Sequence, residues 1–454
     1  MKTFAAINVG SYEQSLKIYT ITKSSGIREV DWIRNRLDLG GTFATGKLSH
    51  EVMDELCAVL RNFVSIMEGY RVDDYRACAT SAIRETKNTA IVLDQIMQRT
   101  GVKLDVLSNS EQRFLDYKSI ASRGGFEKII EKGTLVLDIG GGSIQMSLFD
   151  KDKLSATQNM RLGVLRLQEK MSRLNVRPSE NGPLLEELLE AQLSVFRKMY
   201  LKDRVIENII VVDDYISALI LGKLGKVAGS GYLDRDSMAS YMNYLHDHTD
   251  MEIVRYFDTP EENVPLLRIS SAIVRQVALM TDAKMIWAPG VSLCDGMVYE
   301  YAEEYKLLAQ VHDFEQDIVT CARGISKRYM GSKRRAETLE QIALTIFDSM
   351  KRVHGMGRRE RLLLRIATLL HDCGKYISMA TEIIGLSHRE REIVANIVRY
   401  NHLEFDYSME NSEGIDREEY LTIVKLTAIL QIANALDRSH KQKCRDIKAV
   451  RKDD

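Results

Sequence analysis

Two short glycine-containing segments with the same pattern constrain the fold of this chain more than any other feature. Residues 7–11 read Ile-Asn-Val-Gly-Ser and residues 137–141 read Leu-Asp-Ile-Gly-Gly. Apolar runs at 4–9 and 16–22 flank the first segment, and similar runs within 133–150 flank the second, which predicts two β-hairpins. Such a repeat favours a duplicated α/β architecture whose two halves face one cleft.

The strand-like runs end near residue 300, and the rest of the chain shows helical periodicity alone. An earlier helix is predicted at 50–70, with Ser49 as its N-cap. Five helices are predicted in the last third, at 313–329, 335–354, 358–371, 387–402 and 418–437. We therefore predict two α/β domains, over 1–120 and 121–300, and a separate all-α domain over 301–454.

Charge and composition exclude several function classes. Lys and Arg number 63 against 64 Asp and Glu, so the net charge of −1 gives no global attraction for DNA or an anionic membrane. The six cysteines contain no CxxC pair, and no apolar stretch predicts a signal peptide or a membrane span. We expect a cytoplasmic protein with reduced thiols, without DNA or a membrane as partner, that binds any polyanion at a local site.

The second glycine segment is the strongest candidate for a phosphate site. Its turn contains Gly140, Gly141, Gly142 and Ser143, and without Cβ atoms several backbone N–H groups can approach one phosphate. Asp138, at the end of the preceding strand, is placed to hold Mg²⁺ or a water beside that phosphate. The alternative is a tight hairpin whose glycines only allow positive φ. Asp138 and the related earlier segment favour the phosphate interpretation.

A second candidate segment, residues 78–85, begins with small residues and ends in a helical pattern. Thr80, Ser81 and Arg84 lie where hydroxyl groups and a guanidinium can bind phosphate oxygens. The alternative for Arg84 alone is a surface ion pair.

These segments also carry a family resemblance. ATSAIRETKN at 79–88, LDIGGGS at 137–143, LDLGGTFATGKLS at 37–49 and WAPGVSLCDGMVYEYA at 287–302 resemble the exopolyphosphatase/guanosine pentaphosphate phosphatase (Ppx/GppA) family. The resemblance extends over nearly the whole chain. It implies two ribonuclease H-like domains of the actin and sugar-kinase ATPase type around a cleft. It also implies removal of terminal phosphate from polyphosphate or pppGpp, with Mg²⁺ and a water activated by a Glu.

The sequence departs from this family at the positions of the chemistry. Asn8 replaces the Asp of the first hairpin, and an amide brings no negative charge for Mg²⁺. Within 108–115, Gln112 falls on the usual general base, which an amide cannot replace, so we assign catalysis to its neighbour Glu111 together with Asp138. Residues 211–215 replace the expected Gly-Thr loop.

Two enzyme roles and one binding role remain open at this stage. In the first, Ser11, Arg84 and the glycine turn hold phosphates, Asp138 holds Mg²⁺ and Glu111 activates water. In the second, the same cleft senses polyphosphate or guanosine tetra/pentaphosphate without hydrolysing it.

The third role lies in the helical domain, where the sequence resembles the H…HD…D pattern of HD-domain phosphohydrolases. That resemblance brings four side chains to one divalent cation: His354, His371, Asp372 and Asp437. Imidazole and carboxylate ligands suit Mn²⁺, Fe²⁺, Zn²⁺ or Mg²⁺, and a metal-bound water would be the nucleophile. The alternative is a scaffold that helps to bind long polyphosphate and to form a homodimer, as the Ppx/GppA resemblance implies.

Overall fold

The chain forms two compact units, Met1–His312 and Asp313–Asp454. The computed structural model describes residues 1–41, 45–174, 181–202, 204–220, 231–281, 283–308, 312–374, 382–401, 403–405 and 415–438. Within these ranges, no helix is long and apolar enough to cross a membrane.

The first unit begins with a five-stranded mixed sheet. Its strands are β1 (Lys2–Val9), β2 (Glu13–Thr22), β3 (Gly26–Arg36), β4 (Asp74–Ala79) and β5 (Leu104–Val106). The order is β3-β2-β1-β4-β5, with β1 antiparallel to β2 and parallel to β4. The predicted first hairpin is thus confirmed, and β3 extends it by a strand that the sequence did not reveal.

Helices cover this sheet and lead to the second one. They are α1 (His50–Gly69), α2 (Ser81–Arg84), α3 (Thr89–Thr100), α4 (Asn109–Ala121) and α5 (Phe126–Ile130). The Ser49 hydroxyl accepts the Val52 N–H, which confirms the predicted N-cap of α1. On the buried face of α1, Leu56 and Phe63 belong to the same apolar core as Ile7 of β1.

The second sheet has the order β10-β11-β9-β6-β7-β8. Its strands are β6 (Thr134–Ile139), β7 (Ile144–Asp150), β8 (Lys153–Met160), β9 (Asn208–Val212), β10 (Tyr232–Asp234) and β11 (Met285–Trp287). The second predicted hairpin is confirmed by the antiparallel pairing of Ile139 with Ile144. Strands β8, β7, β6, β9 and β11 follow the connectivity of β3, β2, β1, β4 and β5, so the predicted duplication is present.

Helices of this half pack with the second sheet around one large apolar core. They are α6 (Val164–Leu174), α7 (Asn181–Phe196), α8 (Asp214–Leu219), α9 (Arg235–Asp247), α10 (Asp250–Phe257) and α11 (Val264–Leu279). A short π-helical turn, Arg197–Leu201, and a 3₁₀ turn, Glu261–Asn263, connect them.

The last helix of the unit, α12 (Leu293–Glu304), packs on the first sheet although it follows the second in sequence. Cys294, Met297 and Val298 share an apolar cluster with Phe4 and Tyr19. A Cβ at Gly296 would overlap the backbone of Leu115, so glycine permits the close approach of α12 to α4. Residues 293–300, predicted within the second domain, therefore complete the core of the first.

Helices are the regular secondary structure of the second unit within its described residues. Its helices are α13 (Phe314–Arg328), α14 (Lys333–Ser349), α15 (Lys351–His354), α16 (Arg358–Leu370), α17 (His388–Tyr400) and α18 (Arg417–Leu436). Four predicted helices are confirmed within a few residues at their ends. The fifth, over 335–354, is divided because Met350 leaves α-helical geometry at φ −98° and ψ 13°.

Candidate active site

A cavity of about 180 Å³ lies between the two sheets of the first unit, and both glycine-containing turns line it. A Cβ at Gly141 would lie 2.9 Å from the Cβ of Ser11, so the two turns approach closely only because residue 141 is glycine. The Ser11 and Ser81 hydroxyls are 3.0 Å apart in the same wall. Ser11, Ser81 and the second turn are thus brought together, as the sequence predicted.

The first turn of α6 holds the glycine turn in place. The N–H groups of Val164 and Leu165 donate to the carbonyl oxygens of Gly140 and Gly141, each at 3.0 Å. Arg166 donates from Nε to the Gly142 carbonyl at 2.9 Å and forms an ion pair with Glu85 at 2.7 Å. These bonds fix the peptide groups of the turn and tie it to the segment that follows α2.

Two buried carboxyl groups face each other at the base of the cavity. Asp138 ends β6 as predicted, and its partner Asp116 lies on α4, where the sequence analysis had not placed a functional residue. Burial raises the pKa of Asp138 to about 6, against the hydrogen bond with Asp116 and the charge of Arg113. Burial and then the charge of Asp138 raise the pKa of Asp116 well above its ordinary value. The pair therefore tends to share one proton.

Asp116 could have been found from the helical repeat. Gln112 also lines the cavity, and residues four apart lie on the same face of a helix. A helix that presents Gln112 to the cleft therefore presents Asp116 as well.

Glu111, the predicted catalytic base, lies elsewhere. Its Oε2 accepts the Ser108 N–H at 2.9 Å, and the Ser108 hydroxyl accepts the Glu111 N–H at 3.2 Å. This capping box satisfies the first turn of α4. Gln112 rather than Glu111 lines the described wall of the cavity, so the capping box explains Glu111 without a catalytic role and its role as base stays a prediction.

Arg84 approaches the cavity through Gln112. Its guanidinium donates to the Leu107 carbonyl at 2.7 Å and to the Gln112 Oε1 at 3.5 Å. These bonds hold the start of α4 beside α2. They also connect Arg84 to Gln112 in the cavity wall.

The opposite wall is acidic where the resemblance led us to expect a Gly-Thr loop. Asp213 caps α8 by accepting the Ile216 N–H at 2.6 Å and the Ser270 hydroxyl at 2.9 Å. Burial raises the pKa of Asp213 to about 7. The neighbouring Asp214 is exposed at the surface of the cleft.

The described cavity wall as a whole therefore carries more acidic than basic side chains. The acidic ones are Glu13, Asp116, Asp138, Asp213 and Asp214, and the basic ones are Arg34 and Arg36. Both arginines already have acidic partners, since Arg34 pairs with Glu13 at 2.7 Å and Arg36 pairs with Glu262.

The residues predicted to bind a metal in the helical unit form contacts with protein groups. His354 uses both ring nitrogens, because Nε2 donates to the Phe347 carbonyl at 2.8 Å and Nδ1 accepts the Met356 N–H at 3.0 Å. Among the residues whose positions the structure gives, no three His, Cys, Asp or Glu side chains group as metal ligands. The binding of one cation by His354, His371, Asp372 and Asp437 therefore stays a prediction.

An arginine provides the positive charge that the prediction had assigned to this metal. Arg335 on α14 pairs with Asp372 at 3.1 Å and donates to Asn434 on α18 at 2.8 Å. His371 contributes a further contact to Asp372 at 3.0 Å, and its Nδ1 lies 2.7 Å from the Thr368 carbonyl. Asp437 is buried at the C-cap of α18. Arg335 thus joins α14 to the residues after α16 through an ion pair and to α18 through a hydrogen bond.

Two sequence profiles match this chain. The Ppx/GppA phosphatase family matches residues 26–303, and the Ppx/GppA phosphatase domain III matches residues 320–453. Guanosine-5′-triphosphate,3′-diphosphate pyrophosphatase of Photobacterium profundum is 20% identical over 423 residues, covering 87% of this chain and 80% of that protein. Exopolyphosphatase 1 of Mycobacterium leprae is 27% identical over 154 residues, covering 34% of this chain and 44% of that protein.

A third curated relative is a longer protein that matches this chain over a shorter segment. The bifunctional 3-dehydroquinate synthase/phosphatase of Fusobacterium nucleatum is 24% identical over 125 residues, 27% of this chain and 18% of that protein. The chain therefore spans less than half the length of two of these three curated relatives.

Solved structures agree on the fold. An exopolyphosphatase from Cytophaga hutchinsonii superposes with a TM-score of 0.59 at 17% identity, covering 68% of this chain and 100% of that one. The Ppx/GppA family member of Aquifex aeolicus gives 0.56 at 18% identity, covering 67% and 98%. The predicted fold class, two ribonuclease H-like domains of the actin type followed by an all-α region, is confirmed.

Proposed function

This chain belongs to the Ppx/GppA phosphatase family, and we propose that it releases terminal phosphate from polyphosphate or pppGpp in the cleft between its two sheets. The observation that carries the proposal is the approach of the glycine turn to Ser11 and Ser81 beside the carboxyl group of Asp138. Hydroxyl groups and an exposed backbone turn are the groups that hold phosphate oxygens in proteins.

The binding roles follow from this arrangement. Gly140, Gly141 and Ser143 would hold the terminal phosphate against the Ser11 hydroxyl, and α6 keeps the turn in place through its N–H groups. Arg84 would orient Gln112 at the edge of the same site.

The oxygen atoms available at Asp138 suit Mg²⁺ as ligands. One carboxylate oxygen of Asp138 is buried in the cavity wall without a hydrogen-bond partner among the described residues. Mg²⁺ is commonly bound by one or two carboxylates together with phosphate oxygens, and it would supply positive charge to the phosphates. Asn8 lines the same wall and offers a neutral amide oxygen that is also buried without a partner there.

A second function, binding without hydrolysis, is favoured by one observation. The α4 side chain at the position of the expected base is Gln112, and an amide does not accept a proton from water near neutral pH. In that case the cleft would sense polyphosphate or guanosine tetra/pentaphosphate. For either function we propose a cytoplasmic homodimer whose helical unit acts as a scaffold.

Phosphate release from polyphosphate and from pppGpp with Mg²⁺, measured beside binding by calorimetry, separates the two functions. Gly141→Ala should abolish binding and release, because its Cβ would push Ser11 away from the turn. Gly69→Ala is the matched control, since its Cβ meets no atom within 4 Å. Binding without release favours the sensor, and absence of both in the wild type refutes the cleft as a phosphate site.

A further inference from the structure

We infer that the cleft binds a divalent cation between Asp116 and Asp138 before any phosphate enters, so that Asp116 is a cation ligand of this chain. The inference rests on the proposed function, which places phosphate in the same cleft. It adds a ligand on α4 and an order of binding.

The first observation is that each of the two carboxyl groups has an unused oxygen. Asp116 and Asp138 are 3% and 8% exposed and form a hydrogen bond with each other. The Oδ2 atom of each is buried and has no hydrogen-bond partner within the described ranges, and both residues line the cavity. A buried carboxylate oxygen without a partner is costly, and a cation is the ligand that would satisfy both oxygens together.

The second observation is that the described arginines near the pair form hydrogen bonds or ion pairs with other groups. Arg113, whose charge acts on both carboxyl groups, is 2% exposed and donates from Nε to Gln145 at 2.6 Å and from its Nη1 to Thr157. Arg34 and Arg36 line the cavity but pair with Glu13 and Glu262.

The charge of the wall then sets the order of binding. With five acidic and two basic side chains along its described surface, the cavity repels an unaccompanied polyphosphate chain. A divalent cation held by the two carboxylates neutralises their charge and leaves coordination positions for water or phosphate oxygens, which is the usual coordination of Mg²⁺. Phosphate therefore enters as the ligand of a cation that is already bound.

The competing explanation is a carboxyl–carboxylate pair that shares one proton and binds no cation. Both explanations satisfy the hydrogen bond between the two residues. They differ in whether the full-length protein binds a divalent cation when no phosphate is present.

Mn²⁺ titration followed by electron paramagnetic resonance, on the full chain without phosphate, tests the inference. We expect the wild type to bind Mn²⁺ in competition with Mg²⁺. Asp116→Asn and Asp138→Asn should each weaken Mn²⁺ binding at least about tenfold. Asp214→Asn, which removes the same charge from the same wall outside the pair, should change it less than about threefold.

Melting curves without metal provide the folding control. Asp116→Asn should melt at or above the wild-type temperature, because it relieves a pair of buried like groups, and it should lose the rise that Mn²⁺ gives the wild type. No Mn²⁺ binding by the wild type, or equal binding by Asp116→Asn, overturns the inference. Mn²⁺ binding that depends on Asp116 with no phosphate release contradicts the proposed hydrolysis and leaves the cation site standing.

Discussion

The buried lysine that joins the first sheet to α12 allows a stability prediction with a defined magnitude. Lys17 of β2 is 1% exposed, and its Nζ lies 2.9 Å from the Oδ2 of Asp295 at the start of α12. Glu29, at 2.9 Å, is 38% exposed, and the Trp32 ring lies 4.4 Å from the ammonium. Lys17→Met keeps most of the apolar stem and removes only the charge.

The cost follows from what the substitution leaves behind. Removing one partner of a buried ion pair costs about 3–5 kcal/mol, because the remaining charge is buried without compensation. Asp295 retains hydrogen bonds from Ser292 and Tyr19, so we expect the lower end, about 3 kcal/mol. Glu29 can turn to solvent and adds little. An unfolding entropy of about 2.1 cal/mol/K per residue corresponds to roughly 1–1.5 °C per kcal/mol in a protein of this size, so the melting temperature should fall by about 3–4 °C.

Urea and thermal unfolding of the full chain measure this effect. Lys132→Met is the matched control, since Lys132 is 62% exposed and its ion pair with Glu207, at 3.1 Å, should contribute less than about 1 kcal/mol. A double-mutant cycle with Asp295→Asn isolates the pairwise energy. If Lys17→Met lowers the free energy of unfolding no more than Lys132→Met does, the buried ion pair does not stabilise the fold as proposed.

Three further predictions follow from other described contacts. Burial opposes ionisation of Asp295, but the charge of Lys17 prevails and holds the pKa of Asp295 below its ordinary value. The ionised Asp295 therefore stabilises the fold above about pH 4, and this stabilisation is lost as pH falls through the folded-state pKa. Melting curves from pH 7 to pH 3 should therefore show the deficit of Asp295→Asn shrinking on acidification, and a constant deficit contradicts this. Gly163→Ala should cost more than about 2 kcal/mol in urea unfolding, because its Cβ would overlap the Gly141 backbone, and a neutral result contradicts that contact. Glu111→Gln should change phosphate release less than about threefold, whereas a loss near a hundredfold would support its role as base.

The elements predicted correctly are those specified by local patterns. Both hairpins alternate apolar residues around a glycine turn, and α1 has its cap and apolar stripe within one segment. Strand β3 was missed because it is the edge of its sheet, where charged residues such as Arg28 are exposed and no regular apolar alternation remains. The packing of α12 on the first sheet was not predictable either, since it joins residues nearly 300 positions apart.

The positions of the candidate phosphate-binding residues were predictable where a single short segment contains them. Asp138, Ser11 and the glycine turn lie where their spacing indicated. The capping box of Glu111 was also predictable, because Ser108 stands three residues before it, and this gives Glu111 a structural role that needs no catalysis.

The metal site in the helical unit stays a prediction, but the ion pair of Asp372 was not predictable from its own segment. Arg335, which neutralises Asp372, comes from another helix, and no local spacing reveals such a partner. Acidic and imidazole side chains near one another in sequence therefore do not distinguish a metal site from an ion pair.

The return of α12 to the first sheet also bears on how the protein is made. The apolar face formed by Phe4 and Tyr19 leaves the ribosome early, whereas the helix that covers it ends at residue 304. Until that helix emerges, the amino-terminal half presents an uncovered sheet, a surface prone to association between nascent chains. A gene fragment that stops at residue 120 would retain this exposed face permanently, so dissection of the first unit must keep residues 1–304 together.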